Sequence, residues 1–141
     1  MIKRNMKIIK LFFLLISVLF CFTGCSDHEL GLILLNSVPI TQNNITHDQK
    51  IFRTNSKVYY IFIAPKKMTN DLIRVQVSKM TDKAPLGGYE VIRTNDYRLM
   101  RDERYYYTNS YTFYEKGRYL IQVFSHDDFA RPLAYNDFYV K

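Results

Sequence analysis

His126-Asp127-Asp128 is the tightest grouping of metal-ligand residue types in the sequence. Imidazole and carboxylate side chains can hold a divalent cation in a loop. The spacing matches no metal-site pattern, however, and short polar side chains equally serve ordinary turns. His28 and His47 stand alone. No serine lies in a nucleophile-elbow motif. Gly87-Gly88 is a lone glycine pair rather than a phosphate-binding loop. A catalytic site needs several positioned groups. The sequence therefore points to a protein that is not an enzyme, and it implies no metal and no cofactor.

Aromatic residues are the stronger signal. There are 12 Tyr and 10 Phe, with no Trp to share their work. Tyr105-Tyr106-Tyr107 places neighbours on opposite faces of a strand, so at least one ring meets solvent. Arg93, Arg98, Arg101 and Arg104 lie close by in sequence. Tyr and Arg are enriched in binding hot spots because they combine large contact area with polar tips. Tyr105, Tyr106, Arg101 and Arg104 are thus the candidate contacts for a protein partner, in the envelope or on a host surface. The competing reading is structural: aromatics favour strands and fill the cores of β domains.

The charge balance excludes one partner class. Lys and Arg number 20 against 13 Asp and Glu, but Lys3, Arg4, Lys7 and Lys10 crowd the N-terminus. Without those four, 16 face 13. That excess is too small to suggest nucleic-acid binding.

The N-terminus has its own logic. After the basic residues comes an unbroken apolar run, LFFLLISVLFCF, over positions 11–22, followed by Thr23, Gly24 and Cys25. A charged start, an apolar stretch and a small-residue site describe a secretory signal peptide. The same run also reads as an uncleaved signal anchor or as a simple secretion signal.

Phe22-Thr23-Gly24-Cys25 resembles the lipobox of bacterial lipoproteins, with Phe22 at its aliphatic position. The resemblance implies diacylglyceryl transfer to the Cys25 thiol, cleavage between Gly24 and Cys25, and acylation of the new N-terminus. It implies a membrane partner reached through lipid, in the bacterial cell envelope. Ser26 directly after the cysteine, with Asp27 second, leans towards the outer membrane or cell surface. Cys21 would leave with the leader and Cys25 would carry lipid. The mature chain could then form no disulfide, and its fold must rest on its core. The expected division is a signal peptide at 1–24, a lipidated cysteine and polar tether at 25–29, and one domain at 30–141.

The elements of that domain follow from side-chain period. Leu30–Leu35 reads as a first strand, with Pro39 marking its end or an edge position. Positions 41–49 read as a polar loop. In Lys57–Ala64 nearly every residue is apolar or aromatic, as in a strand buried on both faces. Leu72–Lys79 alternates, with Ile73, Val75 and Val77 facing inward. A turn over 82–88, a short strand Tyr89–Arg93 and a charged loop or helical turn at Asn95–Arg104 follow. Arg104–Tyr114 is β-prone, with Asn109-Ser110 a possible kink. Arg118–Phe124 and Asn136–Lys141 read as paired strands around a loop at Ser125–Ala134.

Glu115-Lys116-Gly117-Arg118-Tyr119-Leu120-Ile121 looks like the tyrosine-corner segment of immunoglobulin-like domains. Glu115 takes the acidic place, Gly117 the glycine and Tyr119 the corner tyrosine; Ile121 stands where disulfide-bonded members have cysteine. The resemblance implies a small, all-β, immunoglobulin-like antiparallel sandwich without a disulfide, its corner tyrosine bonded to backbone. Another sandwich, a barrel or an α+β domain would also accommodate the strands. The function expected is a lipid-anchored envelope protein acting as a protein-binding or structural module. The alternative is a carrier holding a small apolar ligand in an interior cavity.

Overall fold

The computed structural model describes residues 29–84 and 88–141. The leader, Gly24, Cys25 and residues 85–87 lie outside the described residues. Alternating apolar positions rich in β-branched and aromatic side chains make strands here. They are β1 (Leu32–Asn36), β2 (Ile51–Phe52), β3 (Lys57–Ile63), β4 (Leu72–Met80), β5 (Tyr89–Arg98), β6 (Tyr106–Thr112), β7 (Gly117–Ser125) and β8 (Ala134–Val140). Arg101–Arg104 forms a short 3-10 turn, and the described residues hold no α-helix.

The strands form two sheets, ordered β1-β3-β6 and β2-β8-β7-β4-β5. The chain crosses between sheets from β1 to β2, from β2 to β3, from β3 to β4, from β5 to β6 and from β6 to β7. This is an all-β, immunoglobulin-like sandwich. One pairing departs from a purely antiparallel arrangement: Ile51 and Phe52 run parallel to Tyr139 and Val140. Leaving β1 on one sheet, the chain continues in the same direction on the other, where β8 already runs that way.

Alternation fills the space between the sheets. Ile33, Leu35, Val58, Tyr60, Phe62 and Tyr111 point inward from the smaller sheet. Ile73, Val75, Val77, Tyr119, Ile121, Val123 and Phe138 meet them from the larger one. Rings interlock at the β7–β8 end: Phe113 lies 4.7 Å from Tyr119 and 5.2 Å from Phe138, and Phe138 lies 5.6 Å from Phe52. Such offset and edge-on pairs add to plain burial.

Glycine and tyrosine shape the turn into β7. Gly117 has φ +150°, a conformation side chains rarely adopt. It brings Tyr119 under the turn, where its hydroxyl donates to the Glu115 carbonyl oxygen at 2.7 Å. Lys79 hydrogen-bonds the Glu115 carboxylate across the same corner. That contact holds the Glu115 carboxyl below the usual carboxylate range.

One edge of the smaller sheet is sealed. Asn136 on β8 donates to Ile33 O at 2.6 Å, and Asp48 accepts from Leu35 N at 3.1 Å. Lys50 pairs with Asp48 at 2.8 Å and hydrogen-bonds Asn136. This cluster occupies backbone groups along β1 that would otherwise face water. On the opposite side of the sandwich, β5 and β6 each end their sheet as an edge strand.

Candidate functional site

The candidate contacts all fall at one end of the sandwich, where β5 passes into β6. Glu103 closes the 3-10 turn by accepting from Met100 N at 2.8 Å, and its own N–H donates to Met100 O. The turn aims Arg104 back at the β3–β4 loop. Its guanidinium donates to Thr69 O at 3.0 Å and to Met68 O at 3.3 Å, and Met68 N donates to Arg104 O. Arg104 is half-buried and works as a brace between loops. Arg101 is exposed. Tyr105 and Tyr106 are exposed by 54% and 44%, so both rings are open to a partner. Tyr107 turns inward beside Tyr97, 5.0 Å between ring centres.

Tyr106 does not stand alone. Register places Leu32, Ile63 and Tyr106 in one row across the outer face of the smaller sheet. Leu34, Ile61 and Thr108 make the next row, and Asn36, Tyr59 and Ser110 the third. None of these nine residues is charged. Ile61 is only 6% exposed, although it points away from the core and belongs to this outer face. Pro39 and Ile40, after β1, share a cleft with Tyr59, Thr108 and Ser110, so that segment folds back towards this face.

A second surface lies along β5, the longest strand at ten residues. Register slips between Val77 and Ser78, which leaves Ile92 without a partner on β4. The bulge exposes Val91 and Ile92 together, each about half. Arg74 pairs with Asp96 through two hydrogen bonds, 2.7 and 2.9 Å, which hold the Asp96 carboxyl below its ordinary range.

The buried side of the β5–β6 junction is a cluster of tyrosines. Tyr97 and Tyr111 share a hydroxyl–hydroxyl hydrogen bond of 3.0 Å, and Tyr107 accepts from Asn109 Nδ2 at 3.0 Å. The Tyr60 hydroxyl is fully buried and has no hydrogen-bond partner among the described residues. Burial pushes the Tyr107 phenol up to about 12 and raises Tyr60 and Tyr111 as well.

Other candidates disperse. His126 lies 3.8 Å from Asp96, Asp127 accepts from Asn70, and Asp128 accepts from Ala130 N. The three side chains thus turn to separate partners. Among the described residues no group of His, Cys, Asp and Glu could hold a metal ion. A surface cleft of about 540 Å³ lies between Glu29, Pro65, Lys66, Met68 and Leu133.

The fold is similar to that of an immunoglobulin-like protein from Pseudomonas aeruginosa. TM-score is 0.48 and identity 17%, over 79% of this chain and 93% of that one. It is also similar to the soluble domain of PmoD from Methylocystis sp., at TM-score 0.46 and 12% identity over 79% and 90% of the two chains. No sequence-family model and no curated protein matches.

Two features escaped the sequence reading. The exposed pair on β5 depends on a bulge that no local pattern marks. The apolar outer face did leave a signal: Lys57–Ala64 is apolar at almost every position, more than one buried face requires.

Proposed function

We propose that the chain is a lipid-anchored, non-enzymatic binding or structural module of the bacterial cell envelope, meeting a protein partner along the free edge of β5. The basic, apolar leader ending in the lipobox-like Phe22-Thr23-Gly24-Cys25 supports the anchor and the envelope location. Ser26 beside Cys25 favours an outer-membrane or cell-surface position over the inner membrane, as the lipoprotein resemblance implies.

One observation carries the binding reading. β5 is a ten-residue edge strand with Val91 and Ile92 both exposed. Leu99 N donates to Asp71 O, which fixes the ladder so that Thr94, Asp96 and Arg98 turn their backbone groups away from β4. Outward N–H and C=O groups beside an apolar pair suit a partner that adds a strand. The charges and the bulge on β5 keep identical copies from zipping together.

The test is affinity capture from native envelopes with the tagged, acylated protein. Thr94→Pro removes one outward donor and leaves the pairing with β4 intact. Val91→Asp removes apolar contact instead. Both variants should keep the wild-type unfolding midpoint and lose the same captured protein. An unchanged set of captured proteins in both would refute the edge-strand reading.

A further inference from the structure

The two sheets meet along the side where β5 and β6 are edge strands, and this seam is closed over only part of its length. Register sets Arg93, Asn95 and Tyr97 on the inner face of β5, opposite Val77, Val75 and Ile73 of β4. One stretch is shut by polar contacts to β6. The Tyr97 and Tyr111 hydroxyls share a hydrogen bond of 3.0 Å, and Tyr111 donates to Asn95 Oδ1 at 3.4 Å. Arg93 ends this stretch, its guanidinium 5.0 Å from the centre of the Tyr111 ring.

Beyond Arg93 the seam opens. A cleft of about 210 Å³ reaches the core residues Val77, Phe113 and Tyr119 between walls formed by Ile92 and Tyr114. Those walls are 51% and 71% exposed. The bulge in β5 makes the opening. Its extra residue, Ile92, lines the cleft together with its neighbour Arg93, where strict alternation would send the two to opposite faces.

We propose that this cleft is the anchor pocket for the strand that adds to β5. It takes one large apolar side chain of the partner, while Arg93 takes a carboxylate two residues along. The inference rests on the edge-strand reading of β5 and names the chemistry of the segment that docks there.

Geometry selects that occupant. A strand added to the free edge turns every second side chain towards the seam. The one alongside Ile92 and Arg93 meets the cleft. Sites for drug-sized molecules run to about 300–1,000 Å³. This cleft is smaller and suits a single side chain. Its floor of Val77 and Phe113 favours Phe, Leu, Ile or Met there. Charge sets the neighbour. Lys79 is balanced at the corner, by its hydrogen bond to Glu115 and by Glu90 opposite it in the ladder. Arg93 rests on an aromatic ring and pairs with no carboxylate among the described residues. Its guanidinium is suited to bind a partner's Asp or Glu.

The test selects random displayed decapeptides on the purified, full-length protein in detergent. Selected segments should share one large apolar residue with Asp or Glu two positions away. Synthetic copies should bind Ile92→Asp about tenfold more weakly or worse. Selection on Arg93→Glu should replace the acid by Lys or Arg. Ile92 and Arg93 are both exposed, so both variants should keep the wild-type unfolding midpoint. Ile92→Ser and Arg93→Gln replace either one that does not. Segments that fail to bind Thr94→Pro yet bind Ile92→Asp as well as wild type would overturn the pocket and leave strand addition standing. Segments indifferent to Thr94→Pro, or no selected segment at all, would overturn both. Concentration-dependent dimerisation abolished by Ile92→Asp would assign the cleft to a second copy and overturn the inference too.

Discussion

The hydroxyl of Tyr119 donates to the carbonyl oxygen of Glu115 across 2.7 Å, tying the turn before β7 to the strand it starts. Tyr60, a few strands away, is as deeply buried but its hydroxyl has no hydrogen-bond partner among the described residues. Removing the same atom from each should have opposite consequences. Tyr119→Phe frees a backbone acceptor at the corner and should destabilise by about 1–2 kcal/mol. Tyr60→Phe removes a desolvated, unpartnered group and should be neutral or stabilise by up to about 1 kcal/mol. Urea midpoints of the two variants check the pair. Equal losses would mean that Tyr60 has a partner, such as the nearby Tyr111 hydroxyl.

The tyrosine cluster also sets an alkaline limit. Burial, the largest cause, raises Tyr107 from an ordinary value near 10 to about 12, and raises Tyr60 and Tyr111 in the same direction. The folded state therefore holds these protons longer than the unfolded state. Their contribution is complete below about pH 10 and is lost progressively as pH rises above it, through about 12 for Tyr107. Tyrosinate absorbance should show the exposed rings titrating first and these rings only with unfolding. Tyr107→Phe should move the alkaline unfolding midpoint upward. Smooth titration of every tyrosine in a still-folded protein would contradict this.

Much of the fold is legible in the side-chain period, and its failures have local causes. Ile73, Val75 and Val77 alternate with polar residues and all three reach the core. Alternation places Ser78 on the same face as Arg74 and Gln76, yet Ser78 is buried. β5 runs on to Arg98, past the expected end at Arg93, because Asp96 and Arg98 find partners in Arg74 and Asp71. Charge there reads as a loop until the cross-strand pairs are seen. β2 is two residues long and exists only because β8 lies alongside. Asn109-Ser110 does not kink β6: the Asn109 side chain accepts from Ser110 N and donates to Tyr107 within a continuous strand.

The candidate contacts were legible as residue types but not as roles. Tyr105 and Tyr106 are exposed, as solvent-facing contacts must be. Arg104 spends its guanidinium on Met68 and Thr69 carbonyls, so its substitution would loosen loops before it touched any partner. Sequence proximity put Arg104 beside the tyrosines. Only the path of the β3–β4 loop shows what it holds.

Anchoring is the claim on which place and partner both depend, and intact mass spectrometry of the membrane-extracted protein tests it most directly. The expected species begins at Cys25 and carries the added mass of a diacylglyceryl group and an amide-linked acyl chain. A chain that still begins at Met1, or one that begins near Cys25 with no lipid mass, would contradict it.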